Sequence, residues 1–316
     1  MSLEAGARTI VEQCLDVQPD EYTVVVNDGN DPDLFEALLD VLDERVAEYE
    51  YLEYEEPERH GEEPPESVAE EMRRSDVFIA PTRKSLSHTA ARREANAEGS
   101  RGATLPGINR EIWTGALLAD YQRVAEISEE VHELLVSSRE VEVTTPSGTE
   151  LSLEVEPEYY SASDGIIREP GEFSNLPAGE AFGAPVKTSG RLVIDYFPFA
   201  PEGTVVEIED NEAVAVQHPG EEESRLAEAF EEVEGSRNVA EFGVGTNPEA
   251  ELIGNTLQDE KVLGTVHFAF GDNSSMVPEA DERRVETGLH WDAVCEDPTL
   301  RLDGTLVMEE GDPLFG

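Results

Sequence analysis

Cationic side chains are what this 316-residue chain most lacks. It sets 22 Lys+Arg against 72 Asp+Glu, a formal net charge of −50. Only three of the cations are lysines: Lys84, Lys187 and Lys261. Such a field repels phosphate backbones and anionic headgroups, so neither nucleic acid nor membrane is expected as a partner. Cysteine is scarce too. Cys14 and Cys295 lie far apart, which excludes a thiolate metal site of the usual spacing and a disulfide framework, and fits a reduced compartment. Apolar runs stay short of the ~18 residues that span a bilayer. The opening MSLEAGARTIVEQCLDV has no basic n-region and no long apolar core. It reads as an acidic amphipathic helix, not a signal peptide, and the expectation is a soluble, cytoplasmic protein.

Apolar sequence sufficient for ordinary cores is present: 38% of residues are hydrophobic, and they recur from end to end. That argues against the disorder which high net charge alone would suggest. An acidic, lysine-poor surface around a normal core is the pattern of a protein from a salt-loving organism, where salt screens self-repulsion.

Helix and strand signals alternate through the first part. A helix to about residue 17 precedes the apolar strand YTVVV (22–26), and DPDLFEALLDVLDERVAEY (31–49) carries Leu34, Leu38, Leu39 and Leu42 at helical spacing. Residues 53–66 are acidic and proline-bearing, the composition of a solvated loop. The strand DVFIAP, a helix over 87–98 and a long helix over about 112–137 follow. Strands alternating with helices predict a parallel α/β layer. After residue 139 the texture turns to hairpins: VEVTTPSGTELSLEVE with a turn at Ser147-Gly148, then TVVEIEDNEAVAVQ with a turn at Asp210-Asn211, with one helix in EEESRLAEAFEEVEG. The expected architecture is an α/β N-terminal domain (1–138) plus an α+β C-terminal catalytic domain (139–316).

Three strand-like stretches share one device. Successive strand residues point to opposite faces. In TVHFAF, His267 therefore shares a face with Thr265 and Ala269, while Val266, Phe268 and Phe270 lie behind. In GLHWDA, His290 and Asp292 project together with Leu289 and Trp291 behind. In VAEFGVG, Glu241 stands beside Gly243 and Gly245 with Phe242 and Val244 behind. A bulky back anchors each strand, and small neighbours in front leave room for an ion and a substrate that a packed core would fill. Imidazole plus carboxylate without thiolate suits Zn, Co, Mn or Fe. Glu180, in NLPAGEAFGAP, reads either way: Phe182 would share its face in a strand, whereas Pro177 and Gly179 suggest the end of a turn. His60, His132 and His218 carry no such neighbours and read as structural or surface residues.

Together NLPAGEAFGAP, AEFGVGTNPEA, GNTLQDEKVLGTVHFAFGDN and LHWD resemble the metallo-aminopeptidases typified by aminopeptidase T and aminopeptidase S. KSLSHTAARREANAEGSRGATLPGI resembles the N-terminal domain of their shorter members. The resemblance implies homodimers, a peptide substrate and two divalent ions (Zn, Co or Mn) held by Glu180, Glu241, His267, His290 and Asp292. Glu180 and Glu241 would double as catalytic carboxylates, and the ions would activate a water and polarise the scissile carbonyl. His88 is a candidate substrate contact, set against a plainer reading in which Ser87 or Thr89 caps a helix there. One departure stands out: the family's tyrosine falls on or next to Ser274, and no tyrosine occurs from Glu241 onward. The same superfamily holds 2,5-dihydroxypyridine dioxygenase, a non-haem Fe(II) enzyme. His267, His290 and Asp292 form the 2-His-1-carboxylate set of Fe(II) oxygenases, which would leave Glu180 and Glu241 as supports. A third alternative is a metal-binding homologue without catalysis.

Overall fold

The computed structural model describes residues 2–220 and 224–315. The chain divides into two compact units, Met1–Arg123 with Gly165–Ala178, and Val124–Asp164 with Gly179–Gly316.

In the first unit, α1 (Leu3–Arg8) runs into a wider helical turn at Thr9–Cys14. Strand β1 (Thr23–Asn27) is buried throughout. Helix α2 (Pro32–Arg45) starts where Asp31 accepts from the Asp33 N–H and Pro32 presets the first turn, and it buries Leu34, Phe35, Leu38, Val41 and Leu42 on one face. Then come β2 (Tyr49–Glu53), α3 (Glu66–Arg74), β3 (Val77–Ala80), α4 (Ala90–Ala97), β4 (Arg101–Thr104) and α5 (Arg110–Thr114). The strands form a parallel sheet in the order β2-β1-β3-β4, extended by Phe173–Asn175, the eighth strand in chain order (β8).

The parallel α/β expectation therefore holds, with three local corrections. The helix expected to reach residue 49 stops at Arg45, and Tyr49–Glu53 pairs at the sheet edge, where Glu50 and Glu53 stay exposed; an edge strand tolerates charge that a central one does not. The long helix expected over 112–137 is broken at Gly115, whose backbone (φ −118, ψ −108) is not helical. It restarts as α6 (Tyr121–Val136), where the Asp120 carboxylate accepts from the Gln122 and Arg123 N–H groups. Finally, the division falls at Arg123 and not near residue 138. Residues Gly165–Ala178 return to the first unit, because β8 completes its sheet against β4.

The second unit is antiparallel. Strands β5 (Glu140–Thr144), β6 (Glu150–Glu154), β10 (Lys187–Ile194), β11 (Thr204–Glu209), β12 (Glu212–Gln217), β16 (Thr299–Leu302), β17 (Thr305–Glu309) and β18 (Asp312–Pro313) form one sheet, ordered β12-β11-β10-β6-β5-β16-β17-β18. Both expected hairpins are there, and Asp210 and Asn211 adopt positive φ (49 and 70) at the second turn, the geometry of a type I′ turn. A five-stranded sheet, β15-β14-β13-β9-β7, contains β7 (Tyr160–Ser163), β9 (Glu180–Gly183), β13 (Val239–Gly245), β14 (Val266–Gly271) and β15 (His290–Cys295). One apolar core draws on both sheets, on α6 and on α7 (Arg225–Glu232), with Phe242, Val244, Val266, Phe268 and Phe270 at its centre. No helix among the described residues is long and apolar enough to cross a membrane.

Candidate metal centre

The five-stranded sheet shows its large apolar residues to the core and its polar ones to the other face. On that face the ligand candidates are spaced by small residues across the strands. Glu180 pairs with Gly245, His267 with Gly243, Glu241 with Ala269, Asp292 with Ala269, and His290 with Gly271. Directly opposed residues lie close enough for side chains to collide, so each long polar group stands opposite a glycine or alanine. Gly243 shows why: a Cβ there would lie 2.1 Å from His267 Nε2.

All five residues converge, in two overlapping groups that share Glu241: Glu180, Glu241 and His267, and Glu241, His290 and Asp292. His267 Nε2 lies 3.2 Å from Glu241 Oε1 and 3.4 Å from Glu180 Oε2. His290 Nε2 lies 3.3 Å from Glu241 Oε2 and 3.4 Å from Asp292 Oδ1. Glu241 thus sits between the two imidazoles. Glu180 settles in the strand reading despite Phe182, since Gly243 also stands opposite Phe182 and makes room for it.

His290 donates from Nδ1 to the Asp272 carbonyl at 2.6 Å, which fixes the tautomer and leaves Nε2 aimed at Glu241 and Asp292, the arrangement of a metal-binding histidine. Ser274, on or next to which the peptidase resemblance places a tyrosine, bonds the Asp272 side chain through its N–H (2.8 Å) and hydroxyl (2.6 Å); it braces the turn that holds His290. Glu180 Oε2 and His267 Nδ1 are buried without a hydrogen-bond partner, and buried polar atoms of native proteins rarely stay so. A divalent cation among three carboxylates and two imidazoles fits this cluster.

The electrostatics agree. Burial pushes His267 down, but Glu241 and Glu180 outweigh it and hold the imidazole at about 9. Burial also opposes the charged form of His290, and Asp292 and Glu241 raise it well above its usual value regardless. Burial would raise Glu241, yet the bonds from His267 and His290 carry it far below the carboxylate range. The carboxylates attract positive charge into this buried place, and a metal ion competes with protons for it.

Two further residues reach the cluster. Lys261, 2% exposed, places Nζ 2.5 Å from Glu180 Oε1 and 2.6 Å from Glu260 Oε1. It follows the one-turn helix α8 (Thr256–Asp259). Sequence reasoning passed over both Glu260 and Lys261. The available signal was a lone lysine inside the motif block of a chain with only three. Asp292 also lines a cavity of about 240 Å³ with Tyr196, Phe197, Thr256, Asp259 and Val294.

His88 is not in either ligand group. It is exposed in the turn before α4; there Thr89 caps the helix by accepting from the Arg92 N–H at 3.2 Å, and the His88 carbonyl accepts from Arg93. His60, His132 and His218 bond to Ser85 N–H, the Tyr160 carbonyl, and Thr204 with Ser224, respectively. Both cysteines are buried and unbridged.

The sequence model of one family, 2,5-dihydroxypyridine 5,6-dioxygenase (NicX), matches residues 16–314. The chain belongs to the NicX family. No curated protein matches the sequence. Among solved structures, the NicX-family chain is similar to 2,5-dihydroxypyridine dioxygenase from Pseudomonas putida KT2440, with a TM-score of 0.78 and 17% identity over 99% of this chain and 96% of that one. It is also similar to AmpT from Thermus thermophilus, with a TM-score of 0.73 and 18% identity over 99% and 98%. At these identities both likenesses are of fold. The expectation of a hydrolase, a metallo-aminopeptidase, is overturned by the NicX match; the likeness to AmpT is one of fold.

Proposed function

We propose that the protein is a non-haem Fe(II) dioxygenase that opens the ring of a small dihydroxylated aromatic, 2,5-dihydroxypyridine or a ring of like size and substitution. The observation that carries this reading is the NicX match across residues 16–314. The donor chemistry supports it: two imidazoles and carboxylates with no thiolate suit Fe(II). His267, His290 and Asp292 would hold the iron, with Glu241 and Glu180 setting their orientation. Iron bound there would supply the reaction of the ring with O₂.

The protein's own contribution is positioning. The Asp272 carbonyl orients His290, and Glu241 holds both imidazoles at 3.2–3.3 Å. The cavity beside Asp292, about 240 Å³ with Tyr196 and Phe197 in its wall, has room for one ring and its oxygen substituents and offers it aromatic contact.

Purified protein loaded anaerobically with Fe(II) should take up O₂ and consume the absorbance of 2,5-dihydroxypyridine. His290→Ala and Asp292→Ala should abolish both. Iron-loaded protein that takes up no oxygen with this compound or its dihydroxylated analogues overturns the proposal, and release of N-terminal residues from short peptides would do the same.

A further inference from the structure

We infer that Lys261 is a built-in cation that occupies the place of a second metal and so limits the centre to a single ion. The inference rests on the one-iron reading above, but stands on separate geometry. A centre with this many carboxylates is suited to two divalent ions, which in dinuclear enzymes sit about 3.5–4 Å apart with carboxylates between them. Here Glu180 and Glu260 already share a cation. The Lys261 ammonium lies 2.5 Å from one and 2.6 Å from the other, and its side chain is 2% exposed.

An ammonium has three donors and no acceptor, so it cannot serve as a ligand; it can only neutralise what it touches. A second divalent ion bound to Glu180 Oε1 and Glu260 Oε1 would have to stand where Nζ stands. Glu180 Oε2, the oxygen that Lys261 leaves free, faces His267 Nε2 at 3.4 Å. Lys261 therefore divides the cluster: the Glu180–Glu260 side is satisfied by the protein, and Glu241, His267, His290 and Asp292 are left for one ion.

The residue type fits this task. The other 19 of the 22 cations are arginines; where one bridges two carboxylates, as Arg73 does Glu66 and Glu94, a different nitrogen meets each, whereas the compact Lys261 ammonium meets both from one atom, as a metal ion would. Lys84 and Lys187 are 26% and 47% exposed and serve surface pairs. Backbone bonds fix Lys261: its N–H donates to the Gln258 carbonyl at 2.9 Å and its carbonyl accepts from the Asn247 N–H at 2.8 Å.

Metal stoichiometry tests this without reference to turnover. Wild-type protein dialysed against Mn²⁺ or Co²⁺ and measured by plasma mass spectrometry should bind one ion per chain, and Lys261→Gln should bind two. The melting temperature of Lys261→Gln should rise with added Mn²⁺ more than that of the wild type. Should that variant not fold without metal, refolding it with Mn²⁺ present decides: rescue by the ion supports the inference, and failure to rescue opposes it. Two ions in wild type, or one in folded Lys261→Gln, overturns it. One ion without oxygen uptake leaves the assignment of Lys261 standing and removes the dioxygenase. Oxygen uptake with two ions does the reverse.

Discussion

Gly243 has no chemistry of its own, yet the candidate ligand set depends on it. Any side chain there meets the His267 ring, since a Cβ would fall 2.1 Å from Nε2 and 2.2 Å from Cε1. His267 is fully buried, so the ring has no open space to retreat into. Gly243→Ala is expected to displace it, at an overpacking cost of about 1–3 kcal/mol. The accompanying loss of metal affinity should be roughly 10- to 100-fold, the size seen when a ligand's orientation is disturbed. A Mn²⁺ titration checks this, and unchanged affinity would contradict the geometry. His267, His290, Asp292 and Glu241 were legible in the sequence because alternation alone separates a small, polar front from a bulky back. Lys261 and Glu260 were not. In a chain carrying 72 acidic residues, the run Asp-Glu-Lys reads as solvated surface, and only burial, which depends on the tertiary fold, tells otherwise.

Between elements, one buried arginine joins the sheet of the first unit to the end of its N-terminal helical segment and to the loop that follows. Arg101, the first residue of β4 and 5% exposed, donates to the Leu15 carbonyl and to both oxygens of Glu21 at 2.6 and 2.8 Å. Burial pushes the Glu21 carboxyl up, but Arg101 and the Gln18 N–H outweigh it and hold it below its usual 4.5. A carboxyl lowered in the folded state contributes stability above its unfolded value, and that contribution is lost as the pH falls through the folded value. Glu21→Gln is therefore expected to cost about 2 kcal/mol near pH 7, the size of a charged hydrogen bond. The deficit should shrink progressively below about pH 4.5. Denaturant unfolding of both proteins at pH 7 and pH 3.5 in the same salt measures the difference; a deficit that stays constant with pH would assign it to packing. The strands and helices of this unit were largely legible from periodicity. The β2 edge was not, because Tyr-Glu-Tyr-Leu-Glu at 49–53 continues an acidic helical pattern and becomes a strand only by pairing with β1. Nor could the return of residues 165–178 be seen, since a short strand joining a sheet from far along the chain leaves no local signal.

For the molecule as a whole, scaffold and reaction were legible to different degrees. The candidate ligand positions stand in short motifs whose strands the fold brings together, so their convergence was visible. The reaction depends on what stands beside them, and there the peptidase expectation gave way to the NicX family. Net charge acts at the same scale, and two salt effects oppose each other. Salt weakens surface pairs such as Arg8 with Glu4, Glu12 and Glu44, or Arg110 with Asp31, whose attraction water already screens. Salt also screens the repulsion among 72 acidic groups that 22 cations cannot offset, as the screening length falls from about 10 Å at 0.1 M to about 3 Å at 1 M. With a net charge of −50, repulsion dominates, because most acidic groups have no cation to lose. Stability should therefore rise with salt. A net gain of about 2 kcal/mol would lift the melting temperature by roughly 4–8 °C for units of this size. Melting curves in KCl from 0.1 to 2 M give the sign directly. A rise with salt would mean that self-repulsion limits the fold. A fall would mean that the surface pairs hold it together, and the acidic surface would then need an explanation other than adaptation to salt.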